Sequence, residues 1–210
     1  TDTNVLAADL NTLNGYTTAD IDASTVAVIE GTVTALNTAY DTAGINGLGN
    51  EAVTITDTTA AVADLVTLDG NTSGVIDASA AHTLSGTVSN ANSVYASDGF
   101  TGLGAEAVTL TDTGSIAAST LLTVAQANSS GTVDASNAGT ITGTAAEIID
   151  AYDDGTITEA SDVALTVDTA NSGTATLAQA RDLDGLTTGV VTATIADTAV
   201  SDLLDEDTPL

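Results

Sequence analysis

Apolar and polar residues alternate over short stretches of this chain that recur at nearly fixed intervals. In Glu51-Ala-Val-Thr-Ile-Thr-Asp-Thr58 the apolar side chains occupy alternate positions, which is typical of a β-strand with one buried face. The stretch returns 55 positions later as Glu106-Ala-Val-Thr-Leu-Thr-Asp-Thr113, and in degenerate form over 163–169. A fixed period of this length predicts a repeat architecture.

A second short strand lies between those copies. It reads Ile21-Asp-Ala-Ser24, Ile76-Asp-Ala-Ser79 and Val133-Asp-Ala-Ser136, with apolar residues on one face and Asp and Ser on the other. Together the two patterns predict strands that start at Ile21, Val53, Ile76, Val108, Val133, Val163 and Val191.

Helical periodicity fills the intervals between these strands. Leu6, Leu10 and Leu13 predict a helix over Asn4 to Leu13 with one apolar stripe. A second set of helices follows a Gly-Thr pair, in which the threonine is a good N-cap. These caps are Thr32, Thr87 and Thr144, and the buried stripes behind them end in Tyr40, Tyr95 and Tyr152.

The order helix, strand, helix, strand predicts an α/β fold. Its most economical form is a right-handed α/β solenoid of about seven coils of about 28 residues, with a parallel strand ladder on one face and short helices on the other. The shape is like that of leucine-rich repeats, but the consensus is different. Residues 1–195 form the solenoid of tandem double-coil repeats, and 196–210 form an acidic C-terminal end or linker.

The charge balance excludes several classes of partner. The chain has 29 acidic residues against one arginine and no lysine, for a net charge of −28. No basic surface is available to neutralise phosphates, so nucleic acid is excluded. An anionic membrane surface is disfavoured for the same reason, and no apolar run is long enough for a membrane span. Such a surface indicates adaptation to salty water or to divalent cations.

Recurring acidic residues are the candidate metal ligands. Asp22, Asp77 and Asp134 project from the polar face of every second strand, and calcium prefers several converging oxygen ligands. Calcium is therefore a possible cofactor at these three positions, although no cofactor is required. A second set, Asp57, Asp112 and Asp168, is better explained as helix caps or first-turn acids. Glu51 and Glu106 occupy the same position in the first two copies of the repeat, and Ser161 is predicted to occupy it in the third.

Two other patterns suggest weaker hypotheses. Outward threonine pairs suggest an ice-binding surface, but alternate coils carry Asp and Ser instead; the pairs are Thr54 and Thr56, Thr109 and Thr111, and Thr192 and Thr194. His82 lies near Ser79 and Asp77, the elements of a nucleophilic triad, but nearness in sequence does not define a triad. We predict that the chain is not an enzyme.

The repeat resembles a known type of sequence. Runs such as Gly47-Leu-Gly-Asn-Glu-Ala-Val-Thr-Ile-Thr-Asp-Thr58, Leu68-Asp-Gly-Asn-Thr-Ser-Gly-Val-Ile-Asp-Ala-Ser79 and Thr83-Leu-Ser-Gly-Thr87 are similar to the repeat regions of giant secreted cell-surface proteins of marine cyanobacteria and related bacteria. These are of the surface-layer, adhesin or motility type. The resemblance covers residues 1 to about 195 and implies an extracellular or cell-surface location.

These observations favour a structural repeat module of a surface layer, filament or adhesin stalk. The alternatives are a calcium-dependent adhesin and, third, a carbohydrate- or ice-binding surface. Expected partners are other copies or neighbouring repeats that stack end to end. The N-terminal end shows no cap in the sequence, whereas acidic residues and Pro209 protect the C-terminal end, so we expect stacking through the N-terminal face.

Overall fold

Seven short helices alternate with short strands in the described part of the chain, which comprises residues 2–158, 160–168 and 173–196 of a computed structural model. The helices are α1 Ala7–Tyr16, α2 Val33–Asp41, α3 Val62–Asn71, α4 Val88–Ala96, α5 Ala118–Ala127, α6 Ala145–Asp153 and α7 Leu177–Leu186. The strands are β1 Asn4–Leu6, β2 Ile21–Asp22, β3 Val28–Gly31, β4 Ile45–Asn46, β5 Ala52–Ile55, β6 Thr59–Ala61, β7 Ile76–Asp77, β8 Thr83–Gly86, β9 Phe100–Thr101, β10 Ala107–Leu110, β11 Ser115–Ala117, β12 Thr132–Asp134, β13 Thr140–Gly143, β14 Ile157–Thr158, β15 Ala164–Val167, β16 Thr174–Ala175, β17 Val191–Thr192 and β18 Thr194–Ile195. We call each helix with the strands on either side of it a coil.

The predicted threonine caps are confirmed. The hydroxyl oxygens of Thr32, Thr87 and Thr144 each accept a hydrogen bond from the backbone N–H three residues later, at 3.2 to 3.3 Å. At Thr144 the side chain of Glu147 also accepts from the cap's own N–H, which completes a capping box. Helices of nine or ten residues are marginal in isolation, so their stability depends on packing against neighbouring coils.

The first helix begins later than predicted. Asn4–Leu6 form a strand, and α1 starts at Ala7. Because Leu6 then belongs to extended backbone, it does not share a helical face with Leu10 and Leu13. Leu10 is buried, whereas Leu6 is 48% exposed and Leu13 is 50% exposed. The predicted apolar stripe over these three leucines was therefore wrong for two of its members.

The chain divides into two compact units. The first comprises Thr1–Thr109 and Asn128–Gly131, and the second comprises Leu110–Ala127 and Thr132–Leu210. In the first unit β1, β3, β5, β7 and β9 form a parallel sheet in that order, β2 pairs with β4, and β6 pairs with β8. In the second unit β11, β13, β15 and β17 form a parallel sheet, β12 pairs with β14, and β16 pairs with β18. The fold is therefore mixed α/β with parallel strand ladders, as predicted.

The predicted strands do not all pair with one another in a single parallel ladder. Val53 does pair with Ile76, but Ile21 pairs with Ile45 rather than with Val53. In the first unit Asn4 pairs with Val28, and Val28 with Ala52, in steps of 24 residues. Helices α2 and α3 start 29 residues apart, because residues 56–58 and strand β6 lie between β5 and α3, whereas only Thr32 separates β3 from α2. Strand β3 and its counterparts β8 and β13 were not predicted.

The core lies between the ladders and the helices. In the first unit it contains Ile29, Leu36, Val53, Ile55, Leu65, Leu68 and Ile76, and in the second Leu121, Ile141, Ile148, Leu165 and Leu183. Within the first unit α1 packs on α2, α2 on α3, and α3 on α4. Each buried aliphatic side chain contributes about 1.5–3 kcal/mol relative to its exposed state. Every coil is consequently stabilised by the coil beside it.

Candidate functional site

The three aspartates predicted as calcium ligands each close a local turn. Oδ1 of Asp22, of Asp77 and of Asp134 accepts the backbone N–H of the serine two residues later, at 2.9 to 3.0 Å. This is the Asx turn that aspartate commonly forms after a strand. Hydrogen bonds from the Ser24 hydroxyl and N–H hold the pKa of Asp22 below its usual value. The Ser79 N–H and hydroxyl lower the pKa of Asp77 in the same way.

Strand register keeps these aspartates beside neutral residues. Asp22 pairs with Asn46, Asp77 with Thr54 and Thr101, and Asp134 with Thr158. Asp22 lies on the β2–β4 pair, Asp77 on the five-stranded sheet, and Asp134 on β12 of the second unit. Within the described residues no group of three or more His, Asp or Glu side chains could hold a metal ion. Calcium binding by Asp22, Asp77 and Asp134 stays a prediction.

Asp57 acts as a helix cap, as predicted, but it caps α2, which precedes it in the chain, rather than α3, which follows it. Its Oδ2 accepts the N–H of Val33, the first residue of α2, at 2.7 Å. A carboxylate at this end of a helix satisfies a free N–H group and interacts favourably with the helix dipole. Asp57 follows β5 and therefore joins the α2 coil to the chain that leads into α3. Capping by Asp112 and Asp168 stays a prediction.

Glu51 and Glu106 each form a buried cluster of hydrogen bonds, and this burial was not predicted from the sequence. Glu51 is 3% exposed and Glu106 is 2% exposed. The Glu51 carboxylate accepts N–H groups of Gly49 and Asn50, at 2.9 and 3.1 Å, and the hydroxyl of Tyr40. Such a cluster of donors is what a buried carboxylate requires.

Glu106 repeats this arrangement. It accepts the N–H groups of Gly104 and Ala105, at 2.9 and 3.2 Å, and the Tyr95 hydroxyl at 2.8 Å. Gly104 has φ of 121°, a conformation that favours glycine, so the Gly-Leu-Gly turn positions N–H groups around a carboxylate. The signal in the sequence is the constant interval of 11 residues from tyrosine to glutamate.

The tyrosine partners remain protonated donors. Burial, followed by the hydrogen bond to Glu51, raises the pKa of Tyr40 above its usual range. Burial and the hydrogen bond to Glu106 do the same for Tyr95. A carboxylate whose partners are a fixed loop and a protonated phenol stabilises that loop. The arrangement therefore accounts for loop structure and does not require a substrate.

The third copy replaces the glutamate with an apolar residue. Val28 pairs with Ala52 and Thr140 with Ala164, so β15 corresponds to β5 and Val163 occupies the place of Glu51. The predicted equivalence with Ser161 was therefore wrong. The Tyr152 hydroxyl instead donates to the backbone oxygen of Ala160 at 2.8 Å. Burial, and then the charge of Asp162, raises the pKa of Tyr152 to about 12.

The histidine does not engage the residues of the proposed triad. His82 is exposed, and its backbone N–H donates to Thr58 O at 2.9 Å. In the described part of the chain no hydrogen bond joins the imidazole to Ser79 or Asp77. The geometry that defines a triad is thus not assembled around His82.

Threonines align on neighbouring strands in both compact units, as the pair Thr59 and Thr83 in the first and as a longer row in the second. In the second unit Thr142, Thr166 and Thr192 are paired on three neighbouring strands beside a groove of about 300 Å³. In the first unit the row on the main sheet reads Leu6, Glu30, Thr54, Asp77 and Thr101. Carboxylates therefore interrupt the regular hydroxyl spacing that an ice-binding surface would need.

Two findings complete the description of the chain. None of the described helices is long and apolar enough to cross a membrane. Comparison with protein-family models, curated proteins and solved structures gives no match.

Proposed function

We propose that the chain is a structural repeat module of a secreted surface or fibre-forming protein, such as a surface layer, filament or adhesin stalk, without catalysis. Its coils form a right-handed α/β solenoid of about seven turns of about 28 residues. The observation that carries this proposal is that polar side chains such as Asn11, Asn37 and Asp57 bond one coil to the next. An enzyme keeps such groups free for a substrate, whereas the Asn11 and Asn37 amides and the Asp57 carboxylate each bond to the backbone of another part of the chain.

The bonds between consecutive coils are specific. The Asn11 side-chain amide donates to Ala35 O at 2.9 Å and joins α1 to α2. The Asn37 amide donates to Asp64 O at 3.0 Å and joins α2 to α3. Asp57 caps α2 from the chain after β5. These contacts fix the position of α2 over α1 and of α3 over α2, which is what a stack of coils requires.

The surface charge supports a location outside the cell. A net charge of −28 opposes close packing of copies in dilute buffer, and salt at about 1 M shortens the Debye length to about 3 Å. A surface of this type remains soluble in salty water and leaves stacking to the ends of the array. The partners we propose are neighbouring repeats of the same kind, or other copies of the chain, added end to end.

Shortened chains test the architecture. We expect chains with one, two and three of the 55-residue repeats to melt at successively higher temperatures, because each added coil contributes its own stability and one new interface. Circular dichroism against temperature measures this. Equal melting temperatures across the series would contradict a stacked array.

The location needs a separate test. Antibodies raised against the chain are expected to label intact cells of the source organism as strongly as permeabilised cells. Labelling that appears only after permeabilisation would contradict a surface role.

Calcium titration separates the structural role from the adhesin alternative. Asp22, Asp77 and Asp134 are exposed or partly exposed, and each uses one carboxylate oxygen in its turn. The structural role predicts that millimolar calcium raises the melting temperature no more than NaCl of matched ionic strength. A much larger calcium effect that is lost in Asp77→Asn favours the calcium-dependent adhesin.

A further inference from the structure

Three glycines at the junctions between coils leave room for the backbone of the preceding coil. A Cβ atom built on Gly74 would lie 1.9 Å from Glu51 O, and one on Gly131 would lie 2.1 Å from Glu106 O. A Cβ on Gly189 would lie 2.6 Å from Asp162 O. Contacts this short with backbone atoms are not tolerated in proteins, so each junction requires glycine.

The requirement does not come from the conformation of the loop itself. None of these three glycines has a φ in the left-handed region. The Gly74 N–H donates to the Thr72 hydroxyl, and the Gly189 N–H donates to the Thr187 hydroxyl, both at 2.9 Å. Any residue could adopt this turn, so only the approach of the neighbouring coil excludes a side chain.

The first coil has alanine at this position. Ala19 lies 55 residues before Gly74, and its N–H donates to the Thr17 hydroxyl at 3.0 Å, as in the later turns. Its methyl group therefore stands where the later junctions hold a carbonyl oxygen. In the same coil Leu13 is 50% exposed, whereas its counterpart Leu68 is fully buried.

We propose that the methyl group of Ala19 prevents a preceding coil from stacking on the α1 coil in the register that the other coils of the chain use. The α3 coil is covered by β3–α2–β4 and the following strand β5. A coil of the same kind would fit the α1 coil if Ala19 had no methyl group. This inference rests on the proposed function, since it assumes that coils add by stacking. It is an alternative to the predicted stacking through the N-terminal face, which stays a prediction.

This effect of Ala19 makes the stack directional. A coil that approaches the α1 face must shift its backbone by roughly an ångström to relieve the contact, and such a shift disturbs the parallel pairing with β2. The exposed apolar surface at Leu6 and Leu13 then stays uncovered in this register. A single methyl group thus decides whether the array can be extended on this side.

Grafting one coil onto the chain tests the proposal. A copy of residues 28–55 joined ahead of Thr1 reproduces the internal junction, because Thr1-Asp-Thr3 repeats Thr56-Asp-Thr58. Amide hydrogen exchange of the grafted strand is measured with Ala19 unchanged and in the Ala19→Gly variant. We expect the substitution to slow exchange at least about tenfold, since the grafted coil can then dock.

A matched control distinguishes the effect of removing a methyl group at the junction from the effect of a more flexible backbone. Ala8→Gly introduces a glycine into the same coil at an exposed helical position and opens no space at the junction, so it is expected to leave the exchange fast. Equally slow exchange of the grafted strand with Ala19 and with Ala19→Gly would show that Ala19 does not prevent stacking, while stacking itself would stand. Fast exchange in every version would overturn this effect of Ala19 together with the stacking on which it rests.

Discussion

The coils around α1 and α3 have related sequences but different degrees of burial. Leu10 and Leu65 are buried in both, whereas Leu13 is half exposed and its counterpart Leu68 is fully buried. The helices have the same length, ten residues. The difference is that α3 packs between α2 and α4, while α1 packs on α2 alone among the described helices of the first unit. Burial in this protein is therefore set by the neighbouring coil as much as by the helix's own pattern.

The largest expected effect is at the matched leucines. Leu68→Ala leaves a cavity in a closed core and is expected to lower the free energy of unfolding by about 2–5 kcal/mol. Leu13→Ala removes a half-exposed side chain and is expected to cost less than about 1 kcal/mol. Urea unfolding followed by circular dichroism measures both. Equal losses would show that the α1 face is covered in solution.

The second prediction concerns Glu51, the buried carboxylate ahead of α3. Glu51→Gln places an amide NH₂ among groups that are all donors and is expected to cost about 1.5–3 kcal/mol of stability. The exposed Glu30→Gln serves as the control, with a change within about 0.5 kcal/mol. If both variants melt alike, the Tyr40–Glu51 contact does not stabilise the junction.

The third prediction compares two glycines of the α3 coil. Gly74→Ala forces a methyl group against Glu51 O and is expected to cost about 1–3 kcal/mol. Gly70→Ala lies in α3 with no atom within 4 Å of the new Cβ, and is expected to stabilise the chain by about 0.4–1 kcal/mol. Opposite signs in thermal unfolding support the junction geometry. A harmless Gly74→Ala would remove the basis for the role of Ala19.

A smaller effect is expected at the aspartate that caps α2. Asp57→Ala leaves the Val33 N–H without its acceptor and is expected to cost about 1 kcal/mol. Asp2, which occupies the same position in the repeat ahead of α1, is exposed. Asp2→Ala is expected to change stability by less than about 0.5 kcal/mol. Thermal melts of the two variants compare them directly, and a loss at Asp2 as large as that at Asp57 would contradict an inter-coil cap.

At neutral pH the smallest effect is expected from tyrosine ionisation, which changes stability only at alkaline pH. The folded pKa of Tyr152 is raised to about 12, above the usual value of about 10 in an unfolded chain. Its contribution to stability is complete below pH about 10 and declines as pH rises from there towards 12. Tyr152→Phe is therefore expected to reduce the loss of stability over this range. Thermal unfolding over this pH range measures the effect, with Tyr16→Phe, at an 85% exposed position of α1, as the control for loss of a tyrosine hydroxyl; equal pH profiles for the two variants would contradict the expectation.

The sequence predicted those features whose cause is local. Threonine at the N-cap and alternation around Val53 act within a few residues, so Thr32 and β5 were correctly predicted. Strand β3 was missed because Val28 and Ile29 are adjacent apolar residues and do not alternate. The burial of Glu51 was missed because its partners come from a loop and from a helix of the preceding coil. Residues 197–210, which carry the predicted acidic end, lie outside the described residues.

Native-state hydrogen exchange on α1 and α3 tests the central claim most directly, because it reads the stability of related helices in one molecule. If a coil is stabilised by its neighbours, the backbone amides of α1 exchange at least about tenfold faster than the matching amides of α3, a difference of about 1.4 kcal/mol. Equal protection of Leu10 and Leu65 and of the amides around them would contradict the account.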